Sequence, residues 1–315
     1  MLTETIFSFW EPRGTMPAYV ALCRKSWDKN LPNFEIIDLD HSNLSGFISA
    51  GSLDITRLKK LPYPMQKDAI MVAVLEHNGG IFMDADTLIV SSLQPVFHLL
   101  EQTDIVLFNT HLGFMAANSE SIILGDWLER IRNDLSLLNA PRYTTEDLGW
   151  DYIGNRLLAD IMNQMARDSA AGGLSRILVL NPLISLMDSL KNVNSLAKVW
   201  SSINLNRIRA ALWNKKINFL FNTEFINHLR MLDRKRYGFI SEAVYYGSKY
   251  DDPQNKYVQF WFSGEHDTEM IFSISKMVIG LHNSWTPEWY KQLSEKEVLA
   301  QDCLLSKTIR HILAE

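Results

Sequence analysis

The stretch "HNGGIFMDADTLIV", residues 77–90, sets Asp84 and Asp86 one residue apart after a glycine pair and three apolar residues. Alternate residues of an extended strand point to opposite faces, so both carboxylates reach one ligand only where the strand bends or ends. Gly79, Gly80 and the polar Thr87 suit such a bend. Two carboxylates completed by water suit Mg2+ or Mn2+, ions that share their coordination with substrate phosphates. Such an ion neutralises charge on a departing diphosphate, which makes a sugar nucleotide the natural substrate. An Asp-x-Asp alone says little, because charged pairs near strand ends are usually solvated. Here the pair follows an apolar helix, a Gly-Gly turn and a strand, with Asp68 at the start of the helix.

The elements that would position the pair follow from pattern. "TIFSFW" (5–10) is a β-branched and aromatic run, "PAYVALCRKSWDKN" has helical spacing, and "FEIIDLD" (34–40) is a second strand. Strand, helix, strand favours a parallel crossover. "DAIMVAVLEHN" (68–78) is apolar nearly all round, as a buried helix is, and Gly79-Gly80 supplies its left-handed stop. "IFMDADTLIV" then reads as a strand that emerges at its aspartates and resumes. "DIVLFN" (104–109) and "GFMAAN" (113–118) are two more strands, "ILGDWLERIRNDLSLL" (123–138) an amphipathic helix, and "MVIGLHNSW" (277–285) a late strand before a charged helical tail. Residues 141–176 read as helix with loops, with Ala171-Gly172-Gly173 as a flexible joint.

Composition narrows the classes. Of 315 residues, 47% are hydrophobic and 21% charged, which is enough to bury one large core. A net charge of -5 argues against duplex binding and sets nucleic acid aside as a partner, because that affinity rests on positive charge meeting phosphate. The two cysteines, Cys23 and Cys303, lie far apart in helix-like patterns, so neither a disulfide framework nor a cysteine metal site is expected, in keeping with a reducing compartment. No window is apolar enough for a spanning helix and the opening residues lack a secretion-signal pattern, so the expected location is cytoplasmic, at most peripheral on the inner membrane face.

"PMQKDAIMVAVLEHNGGIFMDADTLI" resembles the DXD sugar-binding region shared by the capsular polysaccharide synthesis glycosyltransferases, the family 32 mannosyltransferases and, more remotely, the clostridial glucosylating toxins. "IFSFWEPRGTMPAYVALCRKSWDKNLPNFEIIDLD" resembles the start of the capsular group, and the two stretches span about the first 100 residues. The resemblance implies an α/β fold of GT-A type, a nucleotide-sugar-binding domain with a mixed, mostly parallel central sheet and a helical insertion on the acceptor side. One domain over 1–315 is expected: a nucleotide-sugar core (1–120), a largely helical acceptor region (121–240), and a C-terminal part completing the site (241–315).

The same resemblance assigns roles. Trp10, with Phe9 before it, ends the first strand where an indole stacks on the nucleotide base. Asp86 is the direct metal ligand, Asp84 contacts ribose or metal-bound water, and Asp68 touches the donor sugar; these three are the catalytic aspartates. "GLHNSW" supplies His282 as a third metal ligand, Asn283 and Ser284 as diphosphate or metal contacts, and Trp285 as a lid over the donor. The implied activity is metal-dependent sugar transfer, with Mn2+ or Mg2+, from a UDP-sugar, or a GDP-sugar, to a saccharide or polyprenyl-diphosphate-linked acceptor in capsule or O-antigen synthesis. Retention of the anomeric configuration is implied, with the leaving phosphate taking the acceptor proton. Met71 departs from the pattern, standing where an arginine three residues after Asp68 grips the donor. Either the donor sugar differs or a basic residue from elsewhere supplies the charge.

Other features stay open. Glu146, Asp147 and Asp151 are the clustered carboxylates an inverting base would need, but equally a solvated helix entry. Segment 189–223 has no acidic residue and six lysines or arginines, with Trp200 and Trp213, and Arg230, Arg234, Lys235 and Arg236 follow. It reads either as a surface for anionic lipid headgroups or as a solvated helical face. Two rival functions remain. A haloacid-dehalogenase-type phosphatase has a similar aspartyl strand, but its threonine falls four residues after the first aspartate, whereas Thr87 falls three after Asp84. A catalytically inactive sugar-nucleotide-binding protein of the same fold is supported by Met71 and opposed by Asp84, Asp86 and His282.

Overall fold

Strand β1 (Thr5–Phe9) is buried at every position, as a strand covered on both faces must be. It pairs in parallel with β2 (Glu35–Leu39) on one side and β3 (Gly80–Met83) on the other. The computed structural model describes residues 4–101, 103–108, 111–138, 152–161, 164, 229–231, 253–264, 267–274 and 277–314. Within it, β5 (Ile105–Phe108), β6 (His111–Ala117) and β7 (Leu229–Met231) complete a six-stranded sheet of order β2-β1-β3-β6-β5-β7. Only β6 runs against the others, pairing antiparallel with β3 and β5. The α/β fold with a mixed, mostly parallel sheet is therefore present.

The crossovers are helical. α1 (Ala18–Asn30) joins β1 to β2, and α2 (Ile55–Leu58) and α3 (Tyr63–Asn78) join β2 to β3. α3 opens five residues earlier than its apolar run suggests, because Pro62 and Pro64 sit where a helix start needs no backbone donor. Asp68 consequently lies in the second turn and not at the helix start. The helix stops at Gly79 (φ 68°) and Gly80 (φ 101°). A methyl group on Gly80 would come 2.6 Å from the carbonyl oxygen of Thr5, so this position needs glycine for its backbone angle and for its approach to β1.

Side chains alternate across the sheet. Phe7, Phe9 and Phe82 join the core formed with α3 and α5 (Ile122–Leu137), while Ile6, Ile81 and Met83 join Trp27 of α1 and the residues of α4 (Gln94–Leu100) on the other face. Beyond Asp86 the strand does not resume in the same sheet. β4 (Thr87–Ile89) instead pairs antiparallel with β8 (Val278–Gly280). α1 pins it there: Trp27 Nε1 donates to the Thr87 carbonyl at 2.5 Å and Asn30 Nδ2 to that of Ile89 at 2.8 Å, while Ser26 Oγ accepts from the Ile89 N–H at 2.9 Å.

Helices α6 (Pro253–Phe262), α7 (Thr268–Ile274), α8 (Glu288–Lys291), α9 (Glu295–Ala300) and α10 (Leu304–Ala314) close the chain, and a third apolar cluster joins residues of these helices to α1, β4 and β8. Cys23 and Cys303 are both buried free thiols, and Cys303 precedes α10 and is not inside a helix. No described helix is long and apolar enough to cross a membrane. Glu146, Asp147, Asp151, the Ala171-Gly172-Gly173 joint, segment 189–223 and residues 234–236 lie outside the described residues, as does most of the region 121–240.

Candidate active site

The aspartate pair occupies the turn between the two sheets. β3 ends as the Asp84 N–H donates to the Gly113 carbonyl at 2.9 Å, and the Thr87 N–H closes the turn on the Asp84 carbonyl at 3.1 Å. Because β4 and β8 run antiparallel with Thr87 opposite Gly280, residues just past β8 fall beside Asp86. The Leu281 N–H donates to the Asp86 carbonyl at 3.2 Å, and the Asn283 N–H to Asp86 Oδ2 at 2.6 Å. From α1, the Tyr19 hydroxyl donates to Asn283 Oδ1 at 2.6 Å. The Asp84–Asp86 turn and "GLHNSW" thus form one junction.

Its electrostatics are those of crowded, buried acids. Asp86 is buried, and burial followed by the negative charge of Asp84 pushes its carboxyl well above the usual carboxylate range, against the Asn283 hydrogen bond. His282 goes the other way: burial holds it down to about 4, although Asp84 draws it upward. Its imidazole is therefore neutral near pH 7, the form that ligates metals.

Lys67, which sequence reasoning passed over, ties Asp68 to this junction. Its Nζ lies 2.9 Å from Asp68 Oδ1 and 3.0 Å from Asp84 Oδ1, and donates to the Leu112 carbonyl at 3.1 Å. Burial would lower its pKa, but the two carboxylates outweigh burial and hold the ammonium above its ordinary range. Burial likewise raises Asp68, opposed by Lys67. Met71 does not stand at the site; it is fully buried in the core between α3 and the sheet. A positive charge reaches the aspartates from Lys67 instead. The signal was a lysine directly before Asp68 in "PMQKDAIM".

The aromatic residues divide. Trp10 and Trp285 are half-buried and pack on the apolar cluster that holds Ala85, Tyr257 and Leu281. The indole N–H of Trp10 is buried without a hydrogen-bond partner. Trp285 and His282 have ring centroids 4.2 Å apart, and Tyr257 meets both rings edge-on, at 5.9 and 5.7 Å. Tyr257 also accepts the His282 N–H at 3.3 Å. Nothing around it in "NKYVQFWF" marked it as a site residue. Phe9 faces the opposite core, 5.4 Å from the ring of His41, and Ser284 is exposed.

The junction fits a hard divalent cation in charge and donor type. Asp68, Asp84 and Asp86 outnumber the single ammonium of Lys67, leaving buried negative charge that a cation would neutralise. Among the described residues no three His, Cys, Asp or Glu side chains are grouped closely enough to hold a metal ion by themselves. A cation here would complete its shell from donor oxygens and water.

Among solved structures, "PaToxG Glycosyltransferase" is similar over 52% of this chain and 69% of that one, at 14% identity and a TM-score of 0.36, a likeness too slight to bear on activity. No curated protein matches the chain. The family model described as "Capsular polysaccharide synthesis protein" matches residues 2–155, a span that includes Trp10, Lys67, Asp68, Asp84 and Asp86 and stops short of His282. Through residues 2–155, therefore, the chain matches the capsular polysaccharide synthesis family.

Proposed function

We propose that the protein is a metal-dependent glycosyltransferase of GT-A type that moves a hexose or N-acetylhexosamine from a nucleotide diphosphate to a saccharide acceptor in capsule or O-antigen synthesis. The observation that carries this reading is the convergence of Asp84, Asp86 and the residues after β8 on one buried, net-negative junction. When bound, Mn2+ or Mg2+ supplies charge neutralisation for the departing diphosphate. Asp84 and Asp86 would hold that ion, with donor oxygens and water completing its shell, because His282 does not group with them closely enough to serve as the expected third ligand. Asn283 fixes Asp86 through its N–H and is itself fixed by Tyr19. Trp10, half-buried just past the end of β1, offers the nucleotide base a ring face. Trp285, leaning on His282, covers the donor and excludes water.

Retention, with the leaving phosphate taking the acceptor proton, requires no protein base. The donor is a UDP-sugar, with a GDP-sugar as the alternative; the acceptor is polyprenyl-diphosphate-linked, met at the cytoplasmic face of the membrane. Incubating the protein with UDP- and GDP-sugars, with Mn2+ or with EDTA, tests the reading. Metal-dependent release of nucleoside diphosphate, which a competent site gives slowly to water even without acceptor, is the expected result. Release of inorganic phosphate from simple phosphoesters would favour the phosphatase. Nucleotide binding without turnover of any donor, with acceptor or without, would favour an inactive binding protein.

A further inference from the structure

Asp68 is enclosed from two sides. Lys67 holds Oδ1, and Oδ2 faces Gly154, from a part of the chain 86 positions later: a methyl group on that glycine would lie 2.2 Å from Oδ2 and 3.1 Å from the carboxyl carbon. The backbone at 153–154 is anchored independently. Trp127 Nε1 of α5 donates to the Ile153 carbonyl at 3.0 Å, and Ile153, Leu157 and Leu158 are buried in the α3–α5 core. Leu112, whose carbonyl accepts from Lys67, also reaches the Gly154 position with its Cδ1, 2.9 Å from such a methyl group. Asp68 and the Leu112 side chain are thus the movable members of a tight set, and a side chain at 154, which meets Asp68 most closely, must shift its carboxylate from the position in which it bridges Lys67 before it can displace backbone.

We propose that Gly154 is a positioning residue that sets the reach of Asp68 towards the sugar of the donor, and thereby which sugars the site accepts. The inference rests on the glycosyltransferase reading. The absence of a side chain at 154 leaves Asp68 bridged to Lys67, which it shares with Asp84, so the carboxylate is held in one orientation towards a sugar hydroxyl. Substitution at this position changes sugar recognition and leaves the nucleotide and its diphosphate, held by Asp84, Asp86 and Trp10, in place.

The test is thermal shift of the full chain with Mn2+, comparing UDP and GDP with UDP-glucose, UDP-N-acetylglucosamine and GDP-mannose, for wild type, Gly154→Ala, Asp68→Ala and the double variant. In wild type one sugar adds to the shift of its nucleotide; Gly154→Ala loses that addition and keeps the nucleotide's own shift. Asp68→Ala loses it too, and the double variant behaves as Asp68→Ala alone, because the methyl group then has no carboxylate to displace. Should Gly154→Ala alone fail to fold, recovery of the fold in the double variant supports the proposal and continued failure overturns it. A sugar increment unchanged in Gly154→Ala, or no sugar increment in wild type, overturns it while nucleotide binding stands. No shift by either nucleotide overturns the glycosyltransferase reading, and this inference with it.

Discussion

Asp86 Oδ2 accepts the backbone N–H of Asn283 at 2.6 Å, joining positions 197 residues apart. An asparagine at 86 can accept that same bond without carrying charge into the junction. Asp86→Asn should therefore fold, melt higher than wild type without metal at pH 8, and lose manganese-dependent donor turnover. For a chain of this size each kcal/mol of relieved charge corresponds to roughly 2–4 °C. A lower melting temperature for the variant at pH 8 would contradict the buried-charge account.

The pH response follows from the two opposed shifts. Asp86 holds its proton more tightly folded than unfolded, so metal-free stability falls as pH rises from the ordinary carboxylate range through its raised value. His282, held neutral down to about 4 against 6.5 when free, acts oppositely: stability is lost as pH falls through that window. Denaturant titrations should give Asp86→Asn an advantage over wild type that grows as pH rises, and His282→Gln an advantage that grows from pH 6.5 towards 4. An advantage of either variant that does not change with pH would refute the assignment.

Trp10→Ala should weaken nucleoside diphosphate binding in the presence of manganese by about tenfold, the scale of a lost aromatic contact of ~1–1.5 kcal/mol. Manganese binding alone should not change. Calorimetry of the two ligands separates these effects, and equal diphosphate affinity in wild type and variant would remove Trp10 from the site.

Gly80→Ala tests the turn that delivers the aspartates. A side chain at φ 101° would also press on the Thr5 carbonyl, which is backbone and cannot yield. A loss of about 3 kcal/mol or more is expected by urea denaturation, in the range of severe backbone strain. A loss below 1 kcal/mol would mean that the β1–β3 contact is looser than described.

Much of this was legible in the residue pattern, and the reasons differ by element. β1 and α3 are continuous apolar runs bounded by proline or glycine, and α1 carries its buried residues at helical spacing, so the order of these elements and the parallel crossover could be read directly. The break between β3 and β4 could not, because "IFMDADTLIV" is continuous in composition and it is tertiary contact, with α1 and with β8 almost 200 residues later, that draws β4 out of the sheet. The aspartates and "GLHNSW" were each visible, but their meeting at Asp86 and Asn283 is a tertiary fact. Lys67 was overlooked because a lysine beside an aspartate on a helix usually faces solvent, and here its ammonium is drawn inward by two carboxylates. Gly154 gave no sign, since its role lies in the side chain it lacks.

In the proposed function Asp84 and Asp86 grip a divalent cation on which the nucleotide's diphosphate sits. An anomalous difference map from crystals grown with MnCl2 and UDP measures this directly. A manganese peak within coordination distance of Asp86 and Asp84, with phosphate oxygens completing its shell, is expected. A fully occupied nucleotide with no manganese peak at that turn, or a peak elsewhere in the protein, would contradict it.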